Sequence, residues 1–138
     1  MHKDRYVFPA IFHYAEDGIS VEFPDLPGCI TCGDTTEEAL LMAKEALGLR
    51  LYSDEQDGVP IPEPSNLTSI TLEPNERLIL VEVFMPPIRD NQATKAVKKT
   101  LTIPKWLNDV AESQQINFSL VLQSALKQVL GIREPQPK

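Results

Sequence analysis

At 138 residues the chain has room for one domain or two small ones. Hydrophobic residues make up 42% and charged residues 24%, an ordinary balance for a water-soluble protein, and no apolar run approaches the roughly 18 residues of a spanning helix. The net charge of -7 hides an asymmetry: residues 1–90 hold 17 acidic and 6 basic side chains (-11), and residues 91–138 hold 3 acidic and 7 basic (+4). The first part would repel nucleic acid and the second would attract it.

The chain opens Met-His-Lys-Asp-Arg-Tyr with no uninterrupted apolar segment behind it, so no signal peptide is expected and the cytoplasm is the default compartment. From Tyr6 to Tyr14 the pattern alternates: Tyr6, Phe8, Ala10, Phe12 and Tyr14 share one face of a strand, and Val7, Pro9, Ile11 and His13 share the other. Pro9 lacks an N–H, so the strand is an edge there or that nitrogen faces away from the partner. Ala15-Glu16-Asp17-Gly18 is a turn, and Ile19 to Phe23 a second strand, so the two form a hairpin. Pro24-Asp25-Leu26-Pro27-Gly28 is a loop stiffened by two prolines, after which Cys29 to Gly33 returns as a short third strand.

The only cysteines, Cys29 and Cys32, are spaced Cys-x-x-Cys. A zinc site needs two further ligands where only His2 and His13 remain, and a redox pair would have to open a helix. On a strand, residues three apart point to opposite faces, so ordinary thiols and no metal are expected.

Thr35-Thr36-Glu37-Glu38 reads as a capping box with Thr35 as N-cap. The helix behind it carries Ala39, Leu40, Ala43, Ala46, Leu47 and Leu51 on one side and is expected to end near residues 52–55. A loop stiffened by Pro60, Pro62 and Pro64 follows. Arg77 to Phe84 holds the most apolar run, Leu78-Ile79-Leu80-Val81, which suits a central strand covered by the helix on one face. The sum is β-β-β-α-β over residues 1–85. Residues 86–96, with Pro86 and Pro87 followed by the polar run 89–92, read as a linker.

Lys98 to Ile103 alternates again. Leu101 and Ile103 fall on one face of an extended strand; Lys98, Thr100 and Thr102 fall on the other. A lone strand at the head of a small helical unit has no sheet to join in its own chain, and pairing with the same strand of a second copy satisfies its backbone groups. The product, a two-stranded ribbon with one polar face, fits the DNA major groove. Pro104 suits a first helical turn; Trp106, Leu107, Val110, Ala111 and Gln114 describe one helix face. Asn117 is the expected N-cap of a second helix whose stripe of Leu122, Ala125, Leu126, Val129 and Leu130 is too broad for a helical hairpin to hide. Some 35 residues hold too little core to stand alone, so this unit should dimerise. Residues 133–138 are expected to be a frayed tail.

The segment from Lys98 to Leu130 resembles the ribbon-helix-helix family: Lys98, Thr100 and Thr102 before Pro104, then Ile116-Asn117-Phe118-Ser119 at the second helix start, then Ala125. The resemblance implies that Lys98, Thr100 and Thr102 enter the major groove and that Asn117 and Ser119 meet a phosphate. Gln115 stands where the pattern commonly has glycine, and no arginine is among the three readers.

The N-terminal part resembles the HicB antitoxin family. The matching blocks are Tyr6-Val7-Phe8-Pro9-Ala10, Asp17-Gly18, Phe23-Pro24-Asp25-Leu26-Pro27-Gly28-Cys29, Thr31-Cys32-Gly33-Asp34-Thr35, and Glu38-Ala39 with Ala43. The resemblance implies an α+β fold with a partial RNase H-like sheet and a role in neutralising a HicA-like mRNA-cleaving toxin. A toxin that binds RNA should be basic, and a segment of -11 is its electrostatic complement. Tight binding also needs apolar anchors; Pro24, Asp25, Leu26 and Pro27, together with the exposed ends of the sheet, are the candidates.

Two rival functions find less support in the residues. A nuclease needs several carboxylates converging on metal ions. Asp17, Glu22, Asp25 and Asp34 read instead as turn, strand, loop and helix-flanking residues, and His13 has no nucleophile to serve. A repressor sensing a small ligand would need a pocket signature or glycine-rich phosphate loop, and neither is seen. The sequence therefore predicts a non-enzymatic, cofactor-free antitoxin, dimeric through its C-terminal domain, with a tetramer as the further assembly. Residues 1–85 would bind toxin, and residues 97–132 would bind operator DNA and repress the protein's own operon.

Overall fold

The computed structural model describes residues 2–132, so the tail expected at 133–138 lies outside the described residues. The chain divides between Ala96 and Val97 into two compact units.

In the first unit, Arg5–Ala15 (β1), Gly18–Glu22 (β2), Ile30–Gly33 (β3) and Glu76–Phe84 (β4) form one antiparallel sheet in the order β3-β2-β1-β4. The helix Thr36–Asp57 (α1) packs on one face. The alternation in β1 is what aims Phe8, Ala10 and Phe12 at that helix, where all three are fully buried. Ala39, Ala43, Leu47 and Leu51 recur every four residues along α1 and meet them. Burying each of the large apolar side chains contributes about 1.5–3 kcal/mol. Gly33 lets the sheet approach the helix start: a Cβ there would sit 2.6 Å from the Ala39 nitrogen.

The fourth strand is not central, as its apolar run suggested, but lies at the sheet's edge; β1 sits between β2 and β4. The apolar run answers to two demands: Val81 and Val83 feed the core, whereas Leu80 is 53% exposed on the opposite face. Pro9 pairs with Leu80 across β1 and β4. The bonds Met85 N–H to Asp4 O and Tyr14 N–H to Asn75 O share the ladder's register, so even-numbered β1 residues bond to β4 and Pro9 turns its nitrogen to the other side. There β2 has already ended, opposite Ile11.

Thr35 caps α1 as expected, its Oγ1 accepting from the Glu38 N–H at 3.1 Å. The helix runs past residues 52–55 to Asp57, because the acidic side chains that seemed to end it have partners. Arg50 binds Asp54 and Arg89 binds Glu55, and both carboxylates are buried. Gly58, at φ +69°, then closes the helix, with the Val59 N–H bonded back to Asp54 O.

Residues 86–96, expected as a linker, are instead mostly helix: Met85–Thr94 (α2) continues directly from β4. Pro86 and Pro87 occupy the first turn, where a missing N–H costs nothing, so they start the helix rather than break the chain. Met85 is fully buried, and Ile88 packs against the core.

In the second unit the helices Lys105–Ser113 (α3) and Phe118–Leu130 (α4) appear where the periodicity placed them. Residues 97–103 carry neither helix nor strand. A strand needs a partner for its N–H and C=O groups, and a single chain supplies none here.

Candidate functional site

Two surfaces carry the residues the sequence singles out, one in each unit. In the second unit, Lys98, Thr100 and Thr102 are all exposed, as are Val97, Leu101 and Ile103. Pro104 supplies the N-cap of α3, and Lys105 and Asp109 pair one turn apart at 2.7 Å. Neither α3 nor α4 has a single buried residue. Trp106, Val110, Val129 and Leu130 are 68%, 55%, 83% and 67% exposed, far above what a finished apolar surface shows.

The turn between the helices is tight. The Gln115 N–H bonds to Glu112 O and the Ile116 N–H to Ala111 O, the paired bonds that end a helix when the next residue turns left-handed. Gln115 makes that turn at φ 54°, alone among the described non-glycine residues in having positive φ. The turn delivers Asn117 to the start of α4, where its Oδ1 accepts from the Leu120 N–H at 3.1 Å. Ser119 Oγ accepts from Gln123 Nε2 at 3.0 Å. With Leu120 capped by the side chain and Val121 bonded to Asn117 O, the first N–H groups of α4 point outward beside an amide NH2 and a hydroxyl. An anion is the natural ligand of such a terminus.

In the first unit, the loop 24–28 is held at both ends. Its backbone closes on itself through Phe23 N–H to Cys29 O and Leu26 N–H to Phe23 O. Arg50 Nη1 donates to Pro27 O at 2.7 Å, and Asp25 accepts from the Ser65 N–H at 3.0 Å and from its hydroxyl. Leu26 is 1% exposed, a core residue rather than a contact; Pro24 and Pro27 face solvent. Cys29 is buried, which raises its thiol pKa, and Cys32 is exposed; both are free.

Among the described residues no three of His, Cys, Asp and Glu gather where a metal ion would be held. His13 serves the sheet end, with Nδ1 3.5 Å from Glu76 Oε2 and Nε2 3.2 Å from the Asn75 amide. A hollow of about 610 Å³ in this unit is an open groove between the start of β1 and the segment 58–64, lined by His2, Lys3, Arg5 and Glu63 among others. No helix of the described residues is long and apolar enough to cross a membrane.

Sequence reading missed the clasp that ties α2 to this unit. Arg89 donates through Nε to Glu55 Oε1 at 3.0 Å and through Nη2 to Glu55 Oε2 at 2.9 Å, and Nη1 reaches Asp4 at 2.9 Å. Arg89, in direct hydrogen bond, holds the Glu55 carboxyl below the usual carboxylate range despite burial. Tyr6, whose hydroxyl lies 3.5 Å from Glu55 Oε2, has its pKa raised, first by burial and then by that charge. The signal was present: Met85 and Ile88 are spaced as one helix face, on either side of two prolines allowed in a first turn.

Comparison with known proteins gives this arrangement a family. The profile described as the HicB-like antitoxin of bacterial toxin–antitoxin systems matches residues 8–125. A protein from the rep-hol intergenic region of Haemophilus phage HP1 is 30% identical over 101 residues, 73% of this chain and 75% of that one. An antitoxin HicB of Photorhabdus laumondii is 34% identical over 74 residues, 51% of this chain and 48% of its own length, so the match spans about half of that relative. Among solved structures, a chain of a toxin–antitoxin complex from Streptococcus pneumoniae superimposes with a TM-score of 0.60 at 26% identity, covering 90% of this chain and 98% of that one. That match reaches across most of a fold in which a four-stranded antiparallel sheet with its helix precedes two further helices. The chain belongs to the HicB-like antitoxin family of bacterial toxin–antitoxin systems.

Proposed function

We propose that the first unit neutralises a HicA-like mRNA-cleaving toxin and that the second, as a ribbon-helix-helix dimer, binds operator DNA and represses the protein's own operon. The observation that carries the second half is that neither α3 nor α4 buries a single residue within one chain. A stripe this apolar is stable in water only when covered, and a second copy covers it symmetrically. The same pairing gives residues 97–103 their missing backbone partners. It then sets Lys98, Thr100 and Thr102 of both copies on one polar face, with the capped α4 termini of Asn117 and Ser119 placed for phosphate.

The toxin half rests on charge and on the family. The sheet and α1 would serve as a partial RNase H-like scaffold for binding, presenting an acidic surface to a basic toxin, with Arg5–Glu82 and Arg50–Asp54 among its ion pairs. Pro24 and Pro27, presented on a loop fixed by Arg50 and Ser65, are the proposed apolar contacts there, with Asp25 and Leu26 holding the loop's shape.

The experiment is a paired one. Thr100→Ala combined with Thr102→Ala should weaken operator retardation in a gel shift while rescue from a co-expressed HicA-like toxin is unchanged. Loss of rescue with normal DNA binding would contradict this division of labour. Lys98→Ala should lower the salt slope of operator binding by about one unit if Lys98 meets a phosphate.

A further inference from the structure

The first half of β1 is paired on one side only. The register turns the N–H and C=O groups of Arg5 and Val7 away from β4, toward the side where β2 ends opposite Ile11. The segment 58–64 runs beside that free edge without joining it. Its start is tied to α1 through the Val59 N–H and Asp54 O, and the Ser65 N–H ties its far end to Asp25. Pro60, Pro62 and Pro64 lack the N–H groups that a strand would need to pair back. Among the described residues no backbone bond crosses from this segment to β1. The groove of about 610 Å³ lies between the two, a volume ordinary for a ligand site. Val7 and Val59, 41% and 48% exposed, give it apolar sides.

We infer that this groove is a docking slot for an extended, acidic segment of a partner protein, which adds to the sheet beside Arg5 and Val7 where β2 leaves off. Free backbone groups hold any strand; the side chains around them choose among strands. Residues 1–90 carry only 6 basic side chains, and two of them, Lys3 and Arg5, stand at this groove together with His2. Arg5 is already paired with Glu82 at 2.7 Å, whereas Lys3 has no carboxylate partner among the described residues. Lys3 is therefore the cation that an incoming acid meets unpaired. An antiparallel strand with an apolar residue opposite Val7 places its next two alternate residues opposite Arg5 and Lys3, and acids at those two places each meet a cation. A second copy of this edge would set cation against cation, so the slot selects a foreign strand. A basic, RNA-binding toxin is disfavoured on the same ground, so the slot is separate from the proposed toxin contacts and stands or falls without them.

The probe is the peptide Thr-Val-Thr-Glu-Thr-Glu, labelled with fluorescein at its N-terminus and amidated at its C-terminus, titrated with the full chain and followed by fluorescence anisotropy. It should bind, and the same peptide with lysine in place of both glutamates should not. Lys3→Glu should weaken binding of the acidic peptide by about tenfold. Arg89 uses the backbone carbonyl of Lys3 and not its side chain, so this variant keeps that bond, and circular dichroism checks the fold. N-methylation of the peptide's valine removes the N–H that would meet the Val7 carbonyl and should abolish binding with no change to the protein. Failure of the acidic peptide to bind, full affinity in Lys3→Glu, or binding that survives N-methylation each overturns the slot. A preference for the lysine peptide overturns it too, and assigns the edge to a basic strand such as one of the toxin.

Discussion

Arg89 holds both carboxylate oxygens of Glu55, at 3.0 and 2.9 Å, and thereby ties the last helix of the first unit to the end of α1. The side chain of Glu55 is 2% exposed and that of Arg89 26%. Removing the cation leaves a buried charge whose other partners among the described residues are the distant His2 and the Tyr6 hydroxyl. Arg89→Ala should therefore destabilise the unit by about 2–3 kcal/mol, short of the ~3–5 kcal/mol for a fully buried pair because water still reaches the guanidinium. Urea denaturation followed by far-ultraviolet circular dichroism measures it. A loss below about 0.5 kcal/mol, the scale of a surface pair, would show that the clasp does not hold α2.

The same pair makes stability depend on acid in a definite direction. Hydrogen bonding to Arg89 lowers the Glu55 pKa in the folded state relative to its ordinary value. A group whose folded pKa is depressed contributes fully above its unfolded pKa, about 4.3 for glutamate, and loses that contribution as the pH falls through the lower folded value. The gap in urea midpoint between the parent and Glu55→Gln should thus be widest near neutral pH and close below about pH 4. A gap that stayed constant down to about pH 3 would mean that Glu55 acts through its shape and not its charge.

Two glycines distinguish a backbone contact from a side-chain contact. A Cβ on Gly33 would meet the Ala39 nitrogen at 2.6 Å and its Cα at 2.8 Å, atoms fixed in the first turn of α1. A Cβ on Gly48 would meet Ile88 Cδ1 at 2.5 Å, the free end of a side chain on α2. Gly33→Ala should cost about 2–3 kcal/mol, since strand and helix must separate. Gly48→Ala should stay within about 1 kcal/mol of the parent, because rotation of Ile88 relieves the contact and alanine favours helix over glycine. Thermal midpoints of the two variants rank the effects, and equal losses would refute the distinction.

The sequence made the β1–β2 hairpin, the capped start of α1 and both C-terminal helices legible, because periodicity and capping act within a few residues. The alternation of Tyr6, Phe8, Ala10 and Phe12 needs only a covering helix, and the spacing of Ala39, Ala43, Leu47 and Leu51 provides it. What stayed hidden depended on distant partners. Leu78-Ile79-Leu80-Val81 is as apolar as a central strand, yet its place at the sheet edge was decided by β1 lying between β2 and β4. Asp54 and Glu55 resemble a polar end to α1 because their neighbours in sequence do not show that Arg89, 34 residues from Glu55, supplies the charge that buries it. Lys98, Thr100 and Thr102 stand in no element of the single chain, because a ribbon is a property of two chains, and no pattern within one can display it.

The turn before α4 offers a prediction that the sequence alone already suggested. Three helices here end with the same paired backbone bonds. At α1 and α4 the left-handed residue is glycine, Gly58 at φ +69° and Gly131 at φ +68°; at α3 it is Gln115 at φ 54°. For a residue with a Cβ that conformation costs about 1–2 kcal/mol, while glycine gives back part of the difference by greater freedom in the unfolded chain. Gln115→Gly should accordingly stabilise the second unit by about 0.5–1 kcal/mol, raising the midpoint of its thermal transition. Because the turn sets the direction in which Asn117 caps α4, the operator affinity of this variant should be unchanged or improved. A lower midpoint would mean that the Gln115 side chain contributes more across a neighbouring copy than its backbone costs within one chain.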